Sequence, residues 1–478
     1  MRFTPLLFLL TAFLFACKKE DDFNSDKSFR LEFSSDTIMF DTIFTTLGST
    51  TEFLLVYNNE SKPIKISSIR LGQGSNSPYR LNVDGVPGRN FTDVEIGKKD
   101  SLWIFIEVTI DPNNTLTPFL VTDSILFETN GNIQDVDLVA FGQNANFITP
   151  TNTIFGLQYS ILPCNSVWTN TLPYVVYGYA VVDSACSLLI EEGTQVHFYQ
   201  NSGLWVYRYG QIKVNGTVDK PVVFQGTRRE AGYAELPGQW DRIWINEGDQ
   251  SIQNEINYAV IKNSFIGIQA ENLFSPIGSN QRKLIVNNTF IRNTSGIGIL
   301  ARDYTIEASN TIVANSANYL LALTMGGSYE FNQCTMANYW TRSQRNAPAV
   351  YLNNYFNATS GSVAVDLVKA DFKNCIIYGL VSNELELDFK AGAASNHLFT
   401  YTLLKVDNNT STSDPNHFDN IFKNQDPGFE KTSDNNYELT PTSFCIDKGN
   451  ATFITPFTST DIKGNPRSIP DLGAYERQ

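Results

Sequence analysis

The chain has 478 residues, of which 42% are hydrophobic, and it includes 33 phenylalanines and 21 tyrosines. This composition excludes a disordered protein and supplies apolar side chains for two or three domain cores. The 35 Lys and Arg residues are outnumbered by 49 Asp and Glu residues, for a net charge of −14. This charge excludes nucleic acid, or a bare anionic bilayer, as the main partner, because both attract a basic surface.

The first 16 residues are predicted to be a signal peptide. Arg2 precedes an almost wholly apolar stretch at 6–15, which is too short to span a bilayer and suits a cleaved export signal. The sequence Leu-Phe-Ala-Cys at 14–17 resembles a bacterial lipobox. That resemblance implies that Cys17 becomes the acylated first residue of the mature protein. The alternative is an ordinary signal peptide followed by a buried or disulfide-bonded cysteine.

Residues 17–28 are predicted to be a polar tether. The sequence Lys-Lys-Glu-Asp-Asp at 18–22 resembles the signal that sends lipoproteins of the Bacteroidetes to the cell surface. The resemblance implies an outer-membrane lipoprotein that faces outward and has the membrane as a partner through its acyl chains, with no transmembrane helix. The alternative is a merely solvated tether.

Residues 29–145 are predicted to form a separate β-sandwich. Strand-like alternation occurs at 51–57, 64–71, 101–110 and 124–128, with turn-forming residues between these stretches. Several short strands at this spacing suit an immunoglobulin-like (Ig-like) sandwich. The stretch 40–69, with Ile-Glu-Val-Thr-Ile-Asp-Pro further on, resembles the Hydin-type Ig-like modules of bacterial surface proteins. Such modules space and orient a partner domain, and a binding role is the alternative.

The region 179–424, after a predicted linker and N-terminal cap at 146–178, contains a repeat. Five segments align without gaps: 256–263, 286–293, 308–315, 331–338 and 372–379. Their first residues form one apolar column, Ile256, Val286, Ala308, Phe331 and Phe372, and two positions on lies a polar column, Tyr258, Asn288, Asn310, Gln333 and Asn374. Short apolar strands broken by Asn at a fixed place predict an all-β, parallel β-solenoid in which like residues stack.

The stretches 188–198, 210–217 and 221–226, with the Gly-Gln-Trp at 238–240, resemble the opening coils of pectin-lyase-like proteins. The resemblance implies a right-handed parallel β-helix, but it says little about activity because one solenoid serves many chemistries. The sequence Asp-Leu-Gly-Ala-Tyr-Glu at 471–476 resembles the terminal motif of similar proteins of the Bacteroidetes. Residues 425–478 are therefore predicted to cap the last coil, whose strand edges would otherwise be exposed.

The cysteines give two further predictions. Cys164 and Cys186 flank the start of the solenoid, and they are candidates for a disulfide in an oxidising compartment. Cys334 and Cys375 belong to one inward column, and with Cys445 they are expected to be buried free thiols. Three histidines are too few for a His-rich metal site.

One acidic segment is a low-ranking candidate for catalysis. Period-two alternation predicts Leu385 and Leu387 inward, and Glu384, Glu386 and Asp388 outward in a row. Neighbours in such a row lie about 6.5–7 Å apart, a spacing that suits an inverting glycosidase or a calcium-assisted lyase. The alternative is a solvated outer face. The paired-Asp and Gly-His-Gly motifs of polygalacturonase-like enzymes are absent from the predicted solenoid at 179–424. No catalytic residue and no cofactor is assigned. Calcium is considered only as the cofactor of the lyase alternative.

The insertion 339–355 is the predicted ligand-binding loop. It brings together aromatic faces and polar side chains, which suit sugar rings; the candidates are Tyr339, Trp340, Arg342, Arg345 and Tyr351. The alternative is that Trp340 and Tyr351 only pack the insertion onto the solenoid. The leading prediction is a lipid-anchored surface protein that binds polysaccharide or glycan without catalysis. The alternatives are a carbohydrate lyase or glycoside hydrolase, and a structural or adhesive surface protein.

Overall fold

The computed structural model describes residues 22–249, 251–278, 282–359 and 361–478. The predicted lipidation site Cys17 and the charged residues at 18–21 lie outside this part of the chain. The fold is all-β, with three short 3₁₀ helices, Gly74–Asn76, Thr432–Asp434 and Ala451–Phe453. No helix in the described part is long and apolar enough to cross a membrane. The chain divides into two compact units, one up to residue 144 and one from 145 to 478.

The first unit consists of two five-stranded sheets around one core. Its strands are β1 (Glu32–Phe33), β2 (Thr37–Phe44), β3 (Glu52–Asn58), β4 (Ile64–Leu71), β5 (Tyr79–Val83), β6 (Val86–Gly88), β7 (Asn90–Ile96), β8 (Asp100–Val108), β9 (Phe119–Thr129) and β10 (Asn132–Gln143). The sheets have the orders β1-β3-β8-β5-β6 and β2-β10-β9-β4-β7. All neighbours are antiparallel except β2 and β10. Alternate residues of each sheet enter the core, as in β8, where Ile104 and Ile106 are fully buried.

The second unit consists mainly of three long sheets, in which all neighbouring strands are parallel except the first pair of one sheet. Its strands are β11 (Asn146–Ile148), β12 (Asn152–Ile154), β13 (Leu157–Ile161), β14 (Ser166–Trp168), β15 (Tyr174–Val176), β16 (Tyr179–Val182), β17 (Ser187–Glu191), β18 (Gln195–Phe198), β19 (Gly203–Val206), β20 (Gln211–Asn215), β21 (Val222–Gly226), β22 (Ile243–Asn246), β23 (Asn254–Asn257), β24 (Ala259–Lys262), β25 (Ile266–Glu271), β26 (Lys283–Asn287), β27 (Phe290–Thr294), β28 (Ile297–Arg302), β29 (Thr305–Ser309), β30 (Ile312–Ser316), β31 (Leu321–Thr324), β32 (Gly327–Asn332), β33 (Thr335–Asn338), β34 (Val350–Asn353), β35 (Tyr355–Ala358), β36 (Gly361–Ala364), β37 (Leu367–Lys373), β38 (Ile376–Gly379), β39 (Leu385–Asp388), β40 (Leu398–Thr400), β41 (Leu403–Leu404), β42 (Phe418–Asp419), β43 (Phe422–Lys423), β44 (Phe429–Lys431) and β45 (Asn436–Leu439).

Sheet I has the order β11-β15-β18-β21-β24-β27-β30-β33-β38-β41-β43. Sheet II has the order β12-β13-β16-β19-β22-β25-β28-β31-β34-β39, and sheet III the order β14-β17-β20-β23-β26-β29-β32-β37-β40-β42. The chain visits the three sheets in turn, and the side chains that point inward form one continuous core. This arrangement is consistent with the predicted β-helix. The pairs β35–β36 and β44–β45 are separate antiparallel hairpins.

The predicted columns are confirmed by the register of the strands. Ile256 pairs with Val286, and the same column continues through Ala308 and Phe331 to Phe372. The polar column lies at the corner between sheets III and I, where its five residues have φ between 46° and 55°. This left-handed conformation favours Asn among the residues that carry a side chain. The repeat of Asn therefore marks the corner at which each coil turns.

Cys334 and Cys375 belong to an inward column that also contains Thr311, and all three side chains donate hydrogen bonds inside the core. Thr311 Oγ1 donates to the carbonyl oxygen of Ser309 and to that of Val286 in the preceding coil, both at 3.0 Å. Cys334 Sγ makes the equivalent contacts with Asn332 and Ala308, at 3.4 and 3.5 Å. Cys375 follows the same pattern on the next coil. The two thiols therefore occupy positions equivalent to that of Thr311.

Two segments that were predicted to flank the solenoid have structures of their own. Residues 146–178, expected to be a linker and cap, contribute β11–β15 to the three parallel sheets, and Cys164 forms a disulfide with Cys186. Residues 425–478, predicted to cap the last coil, pack along the outer side of sheet I, with contacts from β27 to β43. Tyr437 and Leu472 are buried there because the outward residues of sheet I, such as Ile312 and Ile376, are apolar.

Candidate functional site

The prediction that Glu384 faces outward is wrong. Its side chain is 0% exposed, and both carboxylate oxygens bind the guanidinium of Arg345, at 2.6 and 2.8 Å. Glu384 lies just before β39, at the corner where the equivalent positions Leu320 and Ala349 of earlier coils are also buried. The alternation of a strand does not apply at this corner, so Glu384 points inward and is no candidate for catalysis.

Arg345, which was predicted to bind ligand, is the buried partner of Glu384 in this ion pair. Its side chain is 2% exposed, and it also donates to the carbonyl oxygens of Ala347 and Asn338, at 2.6 and 3.1 Å. A guanidinium and a carboxylate that are both withdrawn from water must satisfy each other. Arg345 therefore anchors the insertion after β33 and offers no donor to a ligand.

Tyr351, Glu386 and Asp388 lie together on the outer face of sheet II. Tyr351 is in register with Glu386, which is exposed. Asp388 Oδ2 accepts hydrogen bonds from Tyr351 Oη at 2.8 Å and from Tyr355 Oη at 2.6 Å. Burial, together with this carboxylate, raises the pKa of Tyr351 above its ordinary value. The structure thus brings one predicted ligand residue next to two of the acidic candidates.

The same face carries two tryptophans that the sequence analysis missed. A column of outward residues runs along sheet II; it consists of Trp205, Trp244, Gln269, Leu300, Ala322, Tyr351 and Glu386. The adjacent column includes Asn246, Glu271, Arg302 and Asp388. We refer to these two columns as the tryptophan face. A signal was present in the sequence, because each Trp stands between two apolar residues in a strand-like stretch and so takes the outward position.

The two indole rings are stacked and held in place. Their centroids are 4.6 Å apart and their planes differ by 11°. Trp205 Nε1 donates to Asn246 Oδ1, and Trp244 Nε1 donates to Glu271 Oε1, each at 2.6 Å. Both rings are partly exposed. Since each polar edge is tied to the sheet, the rings present a fixed aromatic surface to solvent.

Further aromatic residues border the tryptophans. Phe265 precedes β25 and Phe274 follows it, and each is 45% exposed. The loop that carries Phe274 is fixed by the buried carboxylate of Glu247, which accepts the backbone N–H groups of Leu273 and Phe274 at 3.0 and 3.2 Å. Apolar groups therefore flank the platform at both ends of the strand beside Trp244.

The one buried carboxylate of the tryptophan face, Glu271, is fully engaged by other residues of the protein. Glu271 accepts hydrogen bonds from Trp244 Nε1, from Gln269 Nε2 at 2.8 Å and from Arg302 Nη1 at 3.1 Å. The guanidinium of Arg302 is nearly half exposed, whereas Glu271 is 3% exposed. The groups left open to a ligand are the aromatic faces and the guanidinium of Arg302, because the amides of Asn246 and Gln269 are buried. This set can stack on a sugar ring and donate to its hydroxyls.

The other predicted ligand residues meet in a cleft of about 550 Å³. Tyr339, Trp340 and Arg342 line it, together with Glu235 and Arg292. Trp340 is 8% exposed, and its Nε1 donates to Ser343 Oγ at 2.8 Å. Its ring therefore packs the insertion and shows only an edge to the cleft. Of the five predicted ligand residues, three reach this cleft, Tyr351 lies on the tryptophan face, and Arg345 is buried.

Among the described residues, no group of three or more His, Cys, Asp or Glu side chains is placed to hold a metal ion.

No family model matches the sequence, and no curated protein matches it. Among solved structures, the chain is similar to a family 123 glycoside hydrolase from Clostridium perfringens, with 12% identity over 24% of this chain and 27% of that chain and a TM-score of 0.18. It is also similar to a PapD-like domain of human CEP192, with 13% identity over 24% of this chain and 87% of that domain and a TM-score of 0.17. A protein of unknown function from Porphyromonas gingivalis W83 has 10% identity, over 29% of this chain and 57% of that chain, and a TM-score of 0.19. Likenesses this weak support no argument about the solenoid or its site.

Proposed function

We propose that the protein binds a polysaccharide or glycan on the tryptophan face, without catalysis. The observation that carries the proposal is the stacked pair Trp205 and Trp244, which is partly exposed and fixed by hydrogen bonds from both indole nitrogens. An aromatic surface that is already in place loses little entropy when a sugar stacks on it. Arg302, whose side chain is nearly half exposed, and the exposed carboxylate of Glu386 supply hydrogen bonds that sugar hydroxyls need.

The length of the face favours a chain of several sugars over a single ring. Trp205 and Tyr351 belong to the same column and are separated by five strand-to-strand steps. At roughly 4.8 Å a step, the two aromatic positions lie about 24 Å apart. Gln269, Leu300 and Ala322 between them are at most 6% exposed, so an extended oligosaccharide aligned with the solenoid axis would contact the two ends and pass over this middle part.

The proposal places the protein on the cell surface, as an outer-membrane lipoprotein anchored through Cys17. The lipobox-like sequence, the charged tether and the disulfide between Cys164 and Cys186, which suits an oxidising compartment, support this placement. In this view the first unit is an Ig-like spacer. The second unit is a right-handed β-helix that presents the tryptophan face, and residues 425–478 protect its side.

A carbohydrate lyase or glycoside hydrolase that uses Glu386 or Asp388 is the alternative. Glu386 is exposed, and Asp388 Oδ2 is already bound to two tyrosine hydroxyls. Neither carboxyl group lies in an apolar pocket of the kind that keeps a general acid protonated at neutral pH. Binding therefore fits the outer face of sheet II better than acid–base catalysis does.

The test is a polysaccharide array on which each spot is assayed both for retained protein and for released reducing or unsaturated sugar ends. Retention without release supports the proposal, and release would make Glu386 and Asp388 the residues to replace next. Silence in both assays would favour a structural or adhesive role.

Variants then locate the site. Trp205→Ala and Trp244→Ala should each weaken retention about 10-fold to 100-fold, by analogy with the loss of one base-stacking contact. Trp103→Ala is the matched control, because Trp103 is an exposed tryptophan of the first unit, 45% accessible to solvent. If all three variants retained the ligand equally, the tryptophan face would not be its site.

A further inference from the structure

The cleft next to the insertion after β33 is built by three segments that are distant in sequence. Glu235 belongs to the connection between β21 and β22, Arg342 to the insertion after β33, and Asn435 to the hairpin β44–β45. Tyr339 packs against Phe429 and Tyr437 of that hairpin. The cleft is thus a rigid depression on the solenoid, and it is separate from the tryptophan face.

Glu235 ties the three segments together. Its Oε1 accepts from Arg292 Nη2 at 2.8 Å and from Lys262 Nζ at 2.9 Å. Its Oε2 accepts from Asn293 Nδ2 at 2.6 Å and from Asn435 Nδ2 at 3.4 Å. Burial acts to raise the pKa of Glu235, but the two cations outweigh it and hold that pKa below its ordinary value. The carboxylate is therefore ionised and has no capacity left for a ligand.

Arg342 is different, because its charge has no carboxylate partner among the described residues. Its Nη2 donates to the backbone oxygen of Glu235 at 3.1 Å, which fixes the guanidinium against the wall of the cleft. The side chain is otherwise exposed. Another acidic residue of the lining, Asp434, is paired with Lys431 at 2.6 Å. One guanidinium thus remains open in a cleft whose other charges are compensated.

The surroundings of Arg342 specify what would fit. Tyr339 gives an aromatic wall, Trp340 adds an edge, and Thr341 and Ser433 add hydroxyls to the lining. A guanidinium binds the oxygens of a carboxylate, sulfate or phosphate through two parallel N–H groups. Hydroxyls and an aromatic wall suit the remainder of a sugar ring. The volume, about 550 Å³, lies in the range of small-ligand sites.

We propose that this cleft is a second ligand site, which binds a sugar residue that bears one oxyanion, with Arg342 as the group that binds the anion. The inference does not rest on the tryptophan face, since no residue is shared between the two. The oxyanion is the chemistry that Arg342 selects, and its source, a carboxylate, a sulfate ester or a phosphate ester, is decided by the probes.

In the test, the purified full-length protein is titrated with glucuronic acid, N-acetylglucosamine 6-sulfate and N-acetylglucosamine 6-phosphate. Saturation-transfer NMR measures the binding of each probe. Glucose and N-acetylglucosamine are the neutral counterparts. At least one anionic probe should bind roughly 10-fold or more tightly than its neutral counterpart, as expected for hydrogen bonds to a charged group. The probe that binds most tightly identifies the oxyanion.

Two variants assign that preference to Arg342. Arg342→Gln should remove the advantage of the anionic probe, and Arg342→Lys, which keeps the charge but loses the planar fork, should retain part of it. Arg70→Gln, at an exposed arginine of the first unit, is the control and should change nothing. Trp205→Ala should also leave this binding intact, which separates the cleft from the proposed polysaccharide site.

Three results would overturn the inference. They are an absence of binding by every anionic probe, equal binding of an anionic probe and its neutral counterpart, and an undiminished preference in Arg342→Gln. A thermal melt of each variant, matched to that of the unsubstituted protein, confirms that the comparison concerns folded protein.

Discussion

Arg345 and Glu384, which are 39 residues apart, form a bidentate ion pair inside the protein, at 2.6 and 2.8 Å, with side chains 2% and 0% exposed. The pair joins the insertion after β33 to the corner that precedes β39. Burial of both charges is tolerated only because each satisfies the other. The pair therefore makes the conformation of the insertion depend on the coil that follows it.

Glu384→Gln should destabilise the protein by about 3–5 kcal/mol, because it leaves the Arg345 guanidinium buried without a counter-charge. Chemical denaturation of the second unit measures this loss. Glu192→Gln is the control, since it breaks the exposed pair of Glu192 with Lys220 in the same unit, 2.9 Å apart, and should cost less than about 1 kcal/mol. Equal losses in the two variants would contradict the structural role of Glu384.

Cys334→Thr should leave the stability within about 1 kcal/mol of the original. The thiol and the hydroxyl of Thr311 donate to equivalent carbonyl oxygens on successive coils, so a threonine at 334 finds its acceptors in place. Val313→Thr is the contrasting variant, because Val313 faces the apolar core and a hydroxyl there would lose about 1–3 kcal/mol. Thermal unfolding of both variants makes the comparison. Equal losses in Cys334→Thr and Val313→Thr would contradict the idea that position 334 has acceptors in place for a hydroxyl.

His197 should make the protein less stable in acid. Burial, with the positive charge of Arg229 close by, lowers the pKa of His197 to about 3, whereas an unfolded histidine titrates near 6.5. The unfolded chain therefore binds a proton that the folded chain refuses, and stability falls as the pH drops from about 6.5 toward 3, by up to roughly 1.4 kcal/mol for each pH unit.

The measurement is the free energy of unfolding between pH 7 and pH 4, for the protein and for His197→Gln. The variant should lack this component of the slope, and equal slopes in the two proteins would refute the assignment to His197.

The stacked coils of the second unit could be predicted from the sequence, whereas most contacts of the candidate sites could not. Stacked columns such as Ile256 and Val286 depend on neighbouring coils, and a repeat exposes them directly. Trp205 and Trp244 belong to strands too short to show a clear period, although their outward positions were encoded in the alternation. The contact of Arg342 with Glu235 joins residues 107 positions apart. No local pattern contains such a contact, nor the turn inward that buries Glu384.

The C-terminal motif should respond to pH in the opposite sense from His197. Burial raises the pKa of Glu476 to about 7, and although Arg467 Nη1 binds its Oε2 at 3.0 Å, the carboxylates of Asp471 and Asp461 add to the rise. A group whose pKa is raised on folding contributes stability that is complete below its unfolded value of about 4.5 and is lost as the pH rises through 7. Glu476→Gln removes the ionisation, so the stability of that variant should fall less than that of the original protein between pH 5 and pH 8.

The comparison is made by chemical denaturation, with tryptic release of residues 425–478 from sheet I as a local readout. Identical pH profiles in the two proteins would show that Glu476 does not govern the attachment of this segment.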